Sequence, residues 1–248
     1  MQSPRTYSRY IASSDRRRYR QAFGIEPPVD MGKCDVWPGY TATFIRQREL
    51  GEAVDEPVPG REALTGLFGM VPPWAADTTT SRNGYSARIE TVDQKPSFRD
   101  AWRHAQFCII PAEAFFEPDW RTGHAVPTRV ERADGQPMGI AGLWSSWKAP
   151  KGAVVHSFTM LTVNADEHPL MKSFHKPTDE KRIAVILPGD HYDDWLRATP
   201  DEAKALAHQY STGVVLQETQ RVHKVGGSRF LYSSIGFRSK ADRRRHAR

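Results

Sequence analysis

The feature that most constrains this chain is how often its apolar runs are cut short. Short runs of strand-like character recur along most of the sequence, broken by glycine, proline and aspartate turns before they reach helix length. Residues 40–46, 64–70, 108–112, 114–116, 128–131, 138–144, 157–163 and 183–187 read as strands, with Asp134-Gly135 as a hairpin turn. Helical stretches are few and short. Residues 14–23 have Ser13 or Ser14 to cap them and Gly24 to stop them. Residues 97–104 have Ser97 as cap and Trp102 on the apolar face, and 191–197 and 201–208 complete the set. Residues 51–61, acidic and holding Pro57, Pro59 and Gly60, read as a loop. This pattern predicts an α+β fold: a mostly antiparallel, barrel-like β-sheet with short helices, in a single domain over residues 1–235.

Charge and composition narrow the function classes. The chain has 248 residues, 39% of them hydrophobic, which is enough for a sizeable core. No apolar run reaches the roughly 18 residues of a membrane helix, and the basic first thirty residues lack a signal-peptide core, so a membrane is not an expected partner. Two isolated cysteines, Cys34 and Cys108, make neither a disulfide framework nor a zinc site, and the reducing cytoplasm is the expected location. The net charge of +6 suits a polyanionic partner. Much of it sits in residues 236–248, which read as a disordered basic tail; without them the charge falls to +1.

No phosphate-cradling glycine loop, dinucleotide fingerprint or Gly-x-Ser-x-Gly elbow occurs, and His175 and His191 lack partners at zinc-like spacing. What remains is a set of polar residues in apolar surroundings. Glu117 closes the run IIPAEAFFEP; it is either a surface carboxylate at a strand end or an acid–base group with a raised pKa. His175, in a polar loop entering a strand, is either solvated or a proton shuttle. Arg88, in YSARIET, either grips a phosphate or pairs with Glu90 or Glu113. Trp74, behind Pro72 and Pro73, either stacks on a base or belongs to the core.

The order of these segments says more than any one of them. LFGMVPPWA, YSARIET, KPSFRDAW, CIIPAEAFFEP, GIAGLW, FTMLTVNA and FHKPTDEKRIAVILP follow one another over residues 7–197 in a way that resembles the SOS-response-associated peptidase family, which processes abasic sites. The resemblance implies a single α+β domain with a positively charged groove for single-stranded DNA, no cofactor or metal, and a monomer as the expected state. It assigns Glu117 and His175 as the active-site glutamate and histidine. Ser86 stands where the family's Asn-Ala-Arg motif has asparagine, Arg88 is the arginine of that motif, and Trp74, Pro73 and Arg9 fall in blocks beside the DNA groove.

The family's chemistry uses a cysteine exposed by removal of the initiator methionine. Its amine and thiol condense with the abasic-site aldehyde to a thiazolidine, and the same nucleophile is proposed to remove the first residue. Aligning Arg9-Tyr10 and Phe23-Gly24 puts Tyr7 at that position, and Gln2 follows Met1. The expectation is therefore a family-typical fold with an altered nucleophile. It either binds abasic DNA without crosslinking to it, acts as a Schiff-base lyase through an amine, or has become a non-enzymatic binding domain.

Overall fold

The computed structural model describes residues 9–48, 60–150, 152–171, 174, 176, 178–210, 216–225 and 229–234, with side chains as far as Glu218. His175 and the basic stretch 236–248 lie outside the described residues. Strand β1 (Tyr10–Ala12) leads into helix α1 (Arg16–Phe23), and β2 (Asp35–Val36) returns to pair with β1. Strands β3 (Thr41–Gln47) and β4 (Arg61–Phe68) pair antiparallel. After a 3-10 turn at Thr78–Arg82 come β5 (Ser86–Arg88), helix α2 (Arg99–Arg103) and the long β6 (Phe107–Asp119). Then follow β7 (Val126–Arg132), β8 (Met138–Lys148), β9 (Val154–Asn164), β10 (Arg182–Ala184) and β11 (Ile186–Leu187). Helices α3 (Tyr192–Arg197) and α4 (Pro200–Tyr210) precede β12 (Leu216–Val225) and β13 (Arg229–Ser234).

Five of these strands close a barrel in the order β3, β4, β9, β8, β6 and back to β3. The expected α+β class with a mostly antiparallel barrel is what the chain adopts. Two pairings are parallel, β4 with β9 and β5 with β9. Inside the barrel Phe44, Phe68 and Phe158 are fully buried, with ring centroids 5.4 and 5.7 Å apart. Each such side chain contributes on the order of 1.5–3 kcal/mol by leaving water. Closure demands small residues where strands cross tightly. A Cβ on Gly142 would stand 2.5 Å from the Thr159 carbonyl oxygen and 3.0 Å from Cys108 Sγ.

Local detail departs from the sequence expectations in four places. Asp15, not Ser13 or Ser14, caps α1: its carboxylate accepts from the N–H groups of Arg17 and Arg18, at 2.9 and 3.0 Å. Gly24 ends that helix as expected, at φ 68°. Helix α2 starts after Phe98 with no side-chain cap, so Ser97 does not serve there. Asp134-Gly135 turns the chain, with Gly135 at φ 68°, but β7 and β8 on either side pair with successive parts of β6 and not with each other. The expected strand at 183–187 is two strands. The chain steps at Val185 from pairing with β9 to pairing with β8.

The length of β6 makes the difference between core and site. Its first half, Phe107 to Ala112, lies in the barrel wall between β8 and β3. Its second half runs on beyond β8 and is flanked instead by β1 and β7. β12 and β13 extend the sheet from β7. Helix α3 seals the barrel-wall half, where Trp195 Nε1–H donates to the Cys108 carbonyl at 3.0 Å.

Candidate active site

Glu117 sits in the outer half of β6, opposite Thr128 of β7 and next to the buried Phe115 and Phe116. Burial pushes its carboxyl well above the ordinary carboxylate range. A carboxyl in that condition keeps its proton to higher pH than a free one, as a general acid requires. Glu113, four positions earlier on β6, is engaged otherwise. Ser13 Oγ–H donates to it at 2.8 Å and Arg18 pairs with it at 3.0 Å.

The chain enters the sheet beside Glu117. The Phe116 N–H donates to the Arg9 carbonyl at 3.1 Å. The Arg9 guanidinium lies 3.8 Å from the Phe116 ring centroid and 5.4 Å from that of Trp37, and it pairs with Asp35 at 3.6 Å. Its side chain is only 19% exposed, so most of Arg9 is committed to holding β1 and β2 against β6. The same end of β6 also meets Phe174. Phe174 forms a backbone bridge with Asp119, two residues beyond Glu117. Asp119 is 1% exposed, and its carboxylate accepts from the Arg121 backbone N–H and Nε, each at 2.9 Å, and from a terminal nitrogen at 2.8 Å. Arg121 also pairs with Glu218 of β12 and lies 5.7 Å from the Phe174 ring centroid.

Ser86 and Arg88 lie on the exposed face of β5, with Ala87 buried between them. Arg88 is 60% exposed and pairs with Glu180 at 2.9 Å, not with Glu90 or Glu113. Glu180 also pairs with Arg182 at 2.7 Å, and Arg182 pairs with Glu90 at 2.9 Å, so the four side chains form one charged row. Residues 165–181 thus connect both groups, meeting β6 through Phe174 and Arg88 through Glu180.

Trp74 is 62% exposed at the tip of a tight turn in which the Ala75 N–H donates to the Pro72 carbonyl at 3.0 Å. The core reading of this tryptophan is excluded. Pro73 beside it is exposed as well. Trp147, Val71 and Ala75 form the floor below, and Trp147 Nε1–H donates to the Ala75 carbonyl at 2.8 Å. The turn is tied toward β5 through Met70, whose N–H donates to the Gly84 carbonyl at 2.8 Å. Cys108 is fully buried with its thiol pushed up by burial, and Cys34 is exposed. Among the described residues no three His, Cys, Asp or Glu side chains gather closely enough to hold a metal ion. No helix among them is long and apolar enough to cross a membrane.

The sequence profile of the SOS response associated peptidase (SRAP) family matches residues 7–226. The chain belongs to the SRAP family. Among SRAP relatives, the abasic site processing protein YoqW of Bacillus subtilis is 32% identical over 149 residues, 58% of this chain. The matched stretch spans 62% of YoqW. The abasic site processing protein YedK of Escherichia coli is 25% identical over 170 residues, covering 68% of this chain and 67% of YedK. A solved structure from Bordetella bronchiseptica superimposes with a TM-score of 0.73 at 42% identity, covering 85% of this chain and 98% of that one. A Bacteroides thetaiotaomicron structure at 17% identity and TM-score 0.66 shares the fold. Sequence reasoning on the SRAP blocks missed Asp119, Arg121, Glu218 and Glu180. The first two directly follow the Phe-Phe-Glu-Pro block, and Glu180 stands in the same block as His175.

Proposed function

We propose that this chain is an abasic-site processing protein that binds single-stranded DNA at the lesion and forms no thiazolidine with it. The carrying observation is Glu117. It is a carboxyl shifted upward by burial, at the point where the chain enters the sheet through Arg9. In this reading Glu117 and His175 move protons at the lesion, and Ser86 offers a hydroxyl where the family has an amide. Arg88 grips a backbone phosphate, Trp74 stacks on a base with Pro73 stiffening its turn, and Arg9 supports the groove from below. The SRAP membership, the exposure of Trp74 and Arg88, and the positions of Ser86 and Glu117 support it.

A thiazolidine needs an amine and a thiol on adjacent carbons of one residue, and Tyr7 aligns with the family's cysteine. A second reading, amine attack, is favoured by the raised Glu117 carboxyl. An amine adds to the aldehyde carbon and its proton passes to the oxygen, giving a carbinolamine; Glu117 gives a proton to the hydroxyl, water leaves, the nitrogen's remaining proton goes to the Glu117 carboxylate, and an imine results. Mass spectrometry of the full chain after incubation with abasic single-stranded DNA, with and without borohydride, separates the readings. Binding without any adduct supports the first, and an adduct trapped only by borohydride supports the second. A heat-stable crosslink formed without reductant would overturn both.

A further inference from the structure

Arg88 offers its guanidinium to solvent on an exposed strand face, yet its terminal nitrogen already holds a carboxylate at 2.9 Å. That carboxylate, Glu180, has a second cation within reach, Arg182 at 2.7 Å, and Asn164 Nδ2–H donates to it at 3.4 Å. Arg182 is in turn held by Glu90 and by the Thr162 carbonyl. The row is therefore asymmetric. Arg182 and Glu90 are fixed from several sides, whereas Arg88 is held by Glu180 alone among the ion pairs of the described residues. A carboxylate and a phosphate present similar paired oxygens to a guanidinium, so both compete for the same face.

Resting on the reading of Arg88 as a phosphate contact, we infer that Glu180 is an affinity-setting residue that occupies Arg88 in place of the DNA backbone. Binding exchanges the Arg88–Glu180 pair for an Arg88–phosphate pair, while Glu180 keeps Arg182. The exchange has two consequences. Part of the phosphate's gain is offset by loss of the internal pair and by the carboxylate left nearby. Arg88 also reaches the DNA already neutralised, so its contact contributes little to the salt dependence that counterion release produces.

The test is a double-mutant cycle on the full chain, read by fluorescence anisotropy with an unmodified single-stranded oligonucleotide across a salt series. Glu180→Gln keeps an oxygen acceptor for Asn164 but removes the charge. It should tighten binding by about two- to five-fold at low salt, the range an exposed ion pair commands. It should also steepen the slope of log affinity against log salt by roughly 0.7, one further phosphate neutralised on a single strand. In an Arg88→Ala background the same change should give neither effect. No tightening in the parent chain overturns the inference, and so does a tightening that persists without Arg88, because that would be a general charge effect. If Arg88→Ala alone leaves affinity unchanged, it is the phosphate reading of Arg88 that fails, and the two failures are thereby distinct.

Discussion

Asp119 and Asp134 form a natural comparison, since each pairs with an arginine two residues away by two side-chain bonds. Asp119 is 1% exposed and receives Arg121 at 2.9 and 2.8 Å. Asp134 is 52% exposed in its pair with Arg132, which it meets at 2.9 and 2.5 Å. Burial should decide the difference. Breaking a buried pair by removing one partner costs about 3–5 kcal/mol, because the other charge is left uncompensated. Arg121 retains Glu218 and is 36% exposed, which puts Asp119→Ala at the lower end, about 3 kcal/mol. For a chain of this size that lowers Tm by roughly 6–12 °C. Asp134→Ala should cost less than about 1 kcal/mol, as exposed pairs do. Urea unfolding of both variants, with calorimetry, gives the comparison. Equal losses, or a loss below about 1 kcal/mol for Asp119→Ala, would refute burial as the deciding factor.

Four further outcomes are expected. Trp74→Ala should weaken single-stranded DNA binding by about 1–3 kcal/mol, the value of one stacked base, with the melting curve unchanged because the ring packs on little of the core; an unchanged affinity in anisotropy would remove Trp74 from the groove. Gly69→Ala should destabilise the fold strongly, since Gly69 sits at φ 115° and an added Cβ would fall 1.7 Å from the Ser81 carbonyl oxygen; soluble expression and thermal denaturation report this. A thiol reagent should label Cys34 in the native chain and Cys108 only after unfolding, as peptide mapping would show. The Arg132 guanidinium holds Asp134 down to about 2, so its stabilising contribution is present above the unfolded carboxylate range near 4 and disappears as pH falls toward 2; Asp134→Asn should flatten acid unfolding curves over that window alone.

What the sequence made legible follows from which interactions are local. Strands β3, β4, β8 and β9 could be read as short apolar runs bounded by turns, although β3 and β8 are buried on both faces and do not alternate. Gly24 could be read as a helix stop because the left-handed conformation is a property of one residue. The barrel's closure could not, because the pairing of Ile45 with Ile109 and the parallel pairing of Leu67 with Ser157 join segments whose own patterns are indifferent to partner. The same holds at the site. The block order pointed to Ser86, Arg88 and Glu117, but nothing near Arg88 in sequence distinguishes Glu90 from the distant Glu180 as its partner. The choice was made by the fold, which sets Glu180 beside Arg88. Trp74 and Trp147 likewise look alike as tryptophans in apolar segments, and only the Pro72–Ala75 turn puts one outside and the other beneath it.

On the proposed acid–base reading of Glu117, the division of β6 keeps that group out of the barrel wall. Ionising a buried carboxyl costs stability, and in the wall between β8 and β3 that cost would fall on closure itself. The outer half, beyond Ala112, is backed by β1 and β7, which are not part of the closed ring. Strain from an ionised Glu117 is therefore borne by strands whose loosening leaves the barrel intact. Because burial raises the Glu117 carboxyl, the native state is favoured relative to the unfolded chain below the unfolded carboxylate range, and that advantage declines as pH rises through the raised value. Glu117→Gln, neutral at every pH, should remove this decline and stabilise the protein on the alkaline side. The same substitution should abolish any borohydride-trapped adduct, since an amide cannot release the proton that the carbinolamine hydroxyl needs to leave as water. Greater stability together with lost chemistry identifies a functional carboxyl. A variant that loses stability at high pH would place Glu117 among the structural charges instead.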